Sequence, residues 1–195
     1  MRYPASETAE KHERILQTAS RLFRRNGFSG VSVGEIMRAT GLTHGPFYNH
    51  FASKEALMSE SMEHASRGSI GAVEKAGESA EDLLAHIDEY VSTKHRDEPE
   101  QGCLLASLAT EVSREPAVKP ALTQHVSTSF SHLAKVWRRS SKKVARREAI
   151  HALSSMVGAM VLARAVDDPE LSDEILANMR EALRQSIQGT VAKRG

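Results

Sequence analysis

Residues 32–54, SVGEIMRATGLTHGPFYNHFASK, set two short helical segments on either side of a glycine turn. Ser32 can cap the first segment, and Glu35 three positions on completes a capping box. That helix has to end before Gly41, and the next runs from about Thr43 to about His50. Two short helices hinged in this way form a helix-turn-helix, whose second helix is the one that enters a DNA major groove.

The rest of the chain also carries helical periodicity, and no stretch alternates apolar and polar residues over strand length. Ahead of the motif, Ile15, Leu16, Ala19, Leu22 and Phe23 make one apolar stripe. This helix should stop at Asn26-Gly27, where glycine accepts a left-handed backbone and Phe28 can fold back onto Phe23. After the motif, Ser53 is placed to cap a fourth helix, whose course Gly68, Gly71 and Gly77 all weaken. Further helices are expected near 80–95, 103–114, 117–139, 143–166 and 172–189, separated by proline, glycine, serine and aspartate clusters. The fold class is therefore all-α. A three-helix helix-turn-helix domain spans residues 1–52, and a larger helical domain spans 53–195.

Charge supports this division. Residues 1–54 hold eight basic and four acidic residues, for +4, whereas the remaining 141 hold 18 basic and 21 acidic, for −3. A basic N-terminal third on a mildly acidic body suits a polyanionic partner at one end. The single cysteine, Cys103, rules out an intrachain disulfide. With no apolar leader and no run near the about 20 apolar residues of a membrane span, the expected setting is cytoplasmic, without a membrane partner.

A groove-reading helix needs short side chains at its N-terminal end, so that its backbone can approach base edges and phosphates. Thr43, His44, Gly45 and Pro46 fit that need, with Thr43 also placed to cap. Tyr48 offers a hydroxyl to a phosphate and a ring to a thymine methyl, and Asn49 stands beside it. His50 and Lys54 add donors to the DNA backbone, and Ser32 can reach a phosphate from the mouth of the preceding helix. Phe47 and Phe51 should face inward with Ile36 and Leu42. Singly, each residue has a plain structural reading as a cap, a turn or a solvated side chain, and their joint order and spacing carry the DNA-binding one.

The run Thr43-His44-Gly45-Pro46-Phe47-Tyr48-Asn49-His50-Phe51, followed by Lys54-Glu55-Ala56-Leu57, resembles the signature of TetR-type one-component transcriptional regulators. Residues 28–36 and the first helix match it too, so the resemblance covers about residues 10–58. His44 and Pro46 stand where lysine, serine or threonine are common, which bears on the preferred base pairs. The resemblance implies a homodimer with readers spaced for successive major grooves of double-stranded DNA, on a palindromic operator. It implies a repressor released when a small-molecule effector enters the C-terminal ligand-binding and dimerisation domain and swings the fourth helix. Moving such a protein from 99% to 1% competent takes about 5.5 kcal/mol of differential binding.

The resemblance also implies an interface built from the last two long helices, with Gly158, Leu162, Ile175, Met179 and Leu183 as its candidates; the same residues also suit a core helix pair within one subunit. Val126, Phe130, Leu133 and Trp137 form a stripe that reads as core or as pocket wall. Cys103 opens an apolar helix, and Gly-Cys there resembles a subgroup in which some members sense electrophiles or oxidants by a thiol. Its plain reading is a small buried apolar residue.

Nothing in the sequence calls for a metal, a cofactor or catalytic residues. His125 and His132 lack the neighbouring ligands of a zinc site, and Ser140-Ser141-Lys142-Lys143 lacks the other elements of a serine hydrolase. An enzyme is not expected. The alternative function is a helical ligand-binding or interaction protein whose helix-turn-helix no longer binds DNA.

Overall fold

The computed structural model describes residues 5–43 and 45–192, and all regular structure among them is helical. The order is α1 (Ala5–Asn26), α2 (Val33–Ala39), a 3-10 helix (Gly45–Asn49), α3 (Lys54–Ala76), α4 (Ala80–Tyr90) and α5 (Thr93–Asp97). Then come α6 (Leu104–Val112), a 3-10 turn (Pro116–Val118), α7 (Lys119–Leu133), a 3-10 turn (Ala134–Trp137), α8 (Lys142–Ala165) and α9 (Pro169–Ala192).

The punctuation follows the sequence closely at the N-terminal end. Gly27 closes α1 at φ 75°, its N–H donating to the Phe23 carbonyl at 2.8 Å, and the Phe28 ring packs edge-on against Phe23 at 5.1 Å. Gly41 at φ 73° follows the last residue of α2 and its cap, Thr40. Serines cap α2, α3, α4, α5 and α8, namely Ser32, Ser53, Ser79, Ser92 and Ser141, each accepting a backbone N–H from the first turn.

Several expected boundaries move. The helix foreseen from Thr43 to His50 is a five-residue 3-10 helix, Gly45–Asn49. Thr43 lies two positions ahead of it, outside the capping position. The segment ends shortly before Ser53, whose extended backbone caps α3, and so stays at about one and a half tight turns. α3, by contrast, runs unbroken past Gly68 and Gly71, because buried Met62, Ala65 and Val73 hold it against its neighbours. The helix expected over 80–95 breaks at Val91, where Ser92 starts α5. α9 starts at Pro169, whose fixed φ and absent N–H suit a first helical position.

α1 packs on α3 and α6, α3 on α4 and α7, and α8 on α9, α7 and α6. One continuous apolar cluster runs from Ile15 to Ile187, so the packing does not stop at residue 52. Between α1, α3 and α6, residues Ser20, Phe23, Phe28, Ser61, Met62 and Leu108 close so tightly that no water fits.

Candidate nucleic-acid interface and effector region

The rings under the motif set its geometry. Phe47 and Phe51 are buried 5.7 Å apart, alongside buried Ile36 and Met37 and half-buried Leu42. On the outside of this frame Tyr48 is 68% exposed, its ring edge-on to Phe47 at 5.1 Å, and Asn49 and Thr43 are exposed with it. Gly45 and Pro46 open the 3-10 helix, and His44 lies outside the described residues. The exposed face is therefore short, rigidly backed and centred on Tyr48.

Ser32 forms the capping box the sequence suggested. Its oxygen accepts the Glu35 N–H at 3.2 Å, while Glu35 Oε2 accepts from the Ser32 N–H and hydroxyl, each at 2.7 Å. These hydrogen bonds pull the Glu35 pKa below the ordinary carboxylate range. Ser32 is exposed at the mouth of α2, with its hydroxyl proton already committed to Glu35.

Two expected donors are placed differently. Lys54 is not clear of the core: its Nζ donates to the Phe28 carbonyl at 2.6 Å, tying the start of α3 to the turn after α1. His50 is half-buried, its ring 5.9 Å from His12, and burial followed by the charges of His12 and Lys11 lowers its pKa. Sequence reading missed this side of the module altogether. His12 stacks on Phe51 at 4.5 Å and lies 3.0 Å from Glu60, while His64 lies 3.2 Å from Glu13, so two pairs join α1 to α3. Helical periodicity could have placed these residues on facing sides of the two helices, but not in contact.

Cys103 stands half-buried at the position before α6, and its side chain makes no capping bond. Its backbone N–H donates to His95 Nε2 at 2.9 Å, while His95 Nδ1 lies 2.7 Å from the Tyr90 carbonyl. An acceptor at Nε2 and a donor at Nδ1 define a neutral imidazole, and burial lowers the His95 pKa accordingly. The Tyr90 hydroxyl is buried beside the Cys103 thiol without a well-formed hydrogen bond, and burial, then Cys103, raises its pKa well above the ordinary value. Arg164 closes the group, donating to the carbonyls of Arg96 at 3.1 Å and His95 at 2.5 Å.

This region is fastened to the N-terminal module. Arg24 Nη1 donates to the Gly102 carbonyl at 2.8 Å, and Arg25 lies 3.5 Å from Glu100. At the other end of α6, Glu111 Oε2 accepts the Phe28 N–H at 2.8 Å. Gly102 has no room for a side chain: a Cβ there would lie 2.6 Å from His95 Nε2.

The structure separates the stripe on α7. Its buried face is His125, Ser129 and Leu133, with His125 Nδ1 2.8 Å from the Ser66 hydroxyl. Phe130 is half-buried under the Arg146 guanidinium at 4.9 Å, and Trp137 is buried with its indole N–H unpartnered. The dimer candidates divide in the same way. Leu162 is 57% exposed, Gly158 faces open space, and Ile175 and Met179 are half-buried. Leu183 is corrected: it is buried within the chain with Leu176 and Ile187, on the inward face of α9. Leu171, on the same helix, is exposed on the outer surface.

Among the described residues no group of His, Cys, Asp and Glu is arranged to hold a metal ion, and no helix is long and apolar enough to cross a membrane.

An all-helical chain whose helix-turn-helix presents Tyr48 and packs on a larger helical body has the architecture of helix-turn-helix DNA-binding proteins. Residues 15–60 match the model of bacterial regulatory proteins of the tetR family. AcrR of Shigella flexneri is 35% identical over 99 residues, which make up 46% of this chain and 46% of that relative, so the chain spans less than half of its length. A TetR-family regulator from Agrobacterium tumefaciens has a similar fold, with a TM-score of 0.72 and 25% identity over 89% of this chain and 97% of that one. Escherichia coli NemR in its reduced form gives a TM-score of 0.76 at 20% identity, over 90% of this chain and 96% of that one. Residues 15–60 are thus a tetR-type helix-turn-helix region, and the described chain has the fold of a TetR-family regulator.

Proposed function

We propose that this chain is a transcriptional repressor that binds a palindromic operator as a homodimer and leaves it when an effector engages the C-terminal body. The observation that carries the reading is Tyr48, 68% exposed on a rigid frame of buried phenylalanines, in a segment that matches the family model. Beyond its edge contact with Phe47 most of that side chain stands in solvent, and its hydroxyl and ring suit a phosphate and a thymine methyl. Exposed Thr43 and Asn49 belong to the same segment, and with them His44, Gly45 and Pro46 are the proposed contacts to DNA. Ser32, His50 and Lys54 act more through holding the module than through free donors.

Residues 1–52 form the reader and 53–195 the effector-binding and dimerisation domain. Exposed Leu162, Ile150 and Leu171 leave an apolar surface on α8 and α9, and Gly158 offers a close approach for a second copy. The effector acts near Cys103, because that segment touches α1 through Arg24 and Gly102 and α6 touches it again through Glu111. Phe130 and Trp137, the other candidates for effector binding, lie towards the far end of the body, beside the start of α8.

Selection of bound duplexes from a random pool tests the reading: the expected product is a near-palindrome with half-site centres about 34–36 Å apart. A protein that stays monomeric and selects nothing, even in dilute buffer, overturns it in favour of a helical ligand-binding protein with a silent reader. For the sensor, Cys103→Ser is expected to abolish release of DNA by a thiol-reactive electrophile. Unchanged release removes Cys103 from the mechanism.

A further inference from the structure

Between Glu115 and Glu148 the chain carries no acidic residue, and seven bases fall within residues 135–147. Elsewhere beyond Lys54 the chain holds 11 bases against 21 acids. The cluster covers the 3-10 turn Ala134–Trp137, the link that follows, and the first turns of α8. Lys135, Arg138, Arg139, Lys142, Lys143 and Arg147 are exposed, and Arg146 lies half-buried over Phe130.

Its position is the end of the molecule opposite the reader. The last turn of α8 carries Arg164, bonded to the His95 carbonyl near the Arg24–Gly102 contact. Lys142 is 22 residues earlier on the same helix, about 33 Å away at 1.5 Å per residue. α3 gives the same answer: it starts at Lys54 on Phe28, and beyond its far end Arg138 donates to the Glu78 carbonyl.

Internal contacts do not account for the cluster. Arg147 pairs with Glu148, Arg138 is held by the Glu78 carbonyl, and Lys135 lies 3.2 Å from His132. Arg139, Lys142 and Lys143 have no hydrogen bond or ion pair among the described residues. Lys142 and Lys143 sit in the first turn of α8, where the helix dipole disfavours cations. Each also faces a like charge four residues on, Arg146 and Arg147, which opposes helix stability. External negative charge would relieve both effects.

We propose that this cationic end binds the phosphate backbone of double-stranded DNA without reading sequence. Four of the seven bases are arginines, whose planar fork matches phosphate oxygens. A membrane surface fits less well, because Trp137 is buried, Phe130 is covered, and Ile150 alone among the exposed large apolar side chains lies on this side. A protein with a reader at one end and a phosphate clamp at the other would hold two duplexes at once. The clamp stands independently of the reader, and only the two-duplex consequence rests on the proposed function.

The test uses the full chain with Arg138, Arg139, Lys142 and Lys143 all changed to glutamine, in the parent and in a Tyr48→Ala background. Thermal unfolding first checks that the variant folds. The probe is a random-sequence duplex at low salt. Loss of at least tenfold in affinity in both backgrounds, with a salt slope shallower by about 2–4, supports the clamp. So does loss of the ability to bring a second labelled duplex to an already bound one. Unchanged affinity and salt slope in the Tyr48→Ala background overturn it, whatever the reader does. Binding of the parent to phosphatidylserine vesicles that random duplex fails to compete away overturns it in favour of a lipid surface.

Discussion

The backbone N–H of Phe28 donates to the Glu111 carboxylate at 2.8 Å across 83 residues of sequence, while the Phe28 carbonyl accepts from Lys54 at 2.6 Å. One residue of the turn after α1 is thus held by α6 on one side and by α3 on the other. The tilt of the helix-turn-helix against the body depends on these two bonds. Glu111→Ala leaves the Phe28 N–H without its partner and is expected to lower stability by about 1–3 kcal/mol. The urea midpoint measures this, and an unchanged midpoint would show that water replaces the carboxylate at no cost.

Tyr48 and Lys54 should separate binding from stability. Tyr48→Ala removes a largely exposed side chain and is expected to leave the melting temperature within a degree or two of the parent. Its operator affinity should fall roughly tenfold, the scale of one lost contact. Lys54→Ala removes the bond to Phe28 as well as a charge, so stability and affinity should fall together, equally for operator and random DNA. Calorimetry and fluorescence anisotropy on the two variants check the contrast. A Lys54→Ala protein as stable as the parent would return this lysine to a purely DNA-facing role.

Ser20 and Ser61 face the tightly closed region between α1, α3 and α6, and neither hydroxyl has a hydrogen-bond partner among the described residues. Removing an unsatisfied buried hydroxyl relieves its desolvation cost, which is about 1–3 kcal/mol for a typical group. Ser20→Ala and Ser61→Ala are therefore expected to be neutral or stabilising. A clear loss of stability in either would mean that the hydroxyl has a partner in solution.

Acid should weaken the fold before any carboxylate titrates. His50, His86, His95 and His125 are all held below the ordinary histidine range, with burial as the leading cause in each. The unfolded chain takes up protons near pH 6.5 that the folded chain refuses, so the unfolded state binds more protons in that window. Stability is therefore full above about pH 6.5 and declines as the pH falls through it towards the folded values. Urea midpoints between about pH 7.5 and pH 5 should decrease steadily. A flat profile would show these imidazoles to be as free to ionise as in the unfolded chain.

What the sequence disclosed was local. The capping box at Ser32 and Glu35, the glycine stops at Gly27 and Gly41, and the inward pair Phe47 and Phe51 each depend on neighbours within a few residues. The contacts that join reader to body do not. Arg24 with Gly102 and Phe28 with Glu111 lie 78 and 83 residues apart, and periodicity carries no information at that distance. Buried polar residues were also hidden, since His125 and Ser129 occupy the inner face of α7 where apolar residues were expected. The motif's second helix is shorter than expected, a five-residue 3-10 segment that ends ahead of the extended cap of α3 at Ser53. The cationic end escaped notice for a different reason: a net charge averaged over 141 residues cancels seven clustered bases against acids spread elsewhere.

The apolar cluster that runs unbroken from Ile15 to Ile187 bears on how such a molecule can be re-engineered. A chimaera joined at residue 52 would give the body a foreign α1 in place of Ile15, Leu16, Ala19 and Phe23, which fill the space against α3 and α6. Swapped DNA specificity should survive only when those inward side chains travel with the recipient, leaving just the outward edge around Tyr48 to be exchanged.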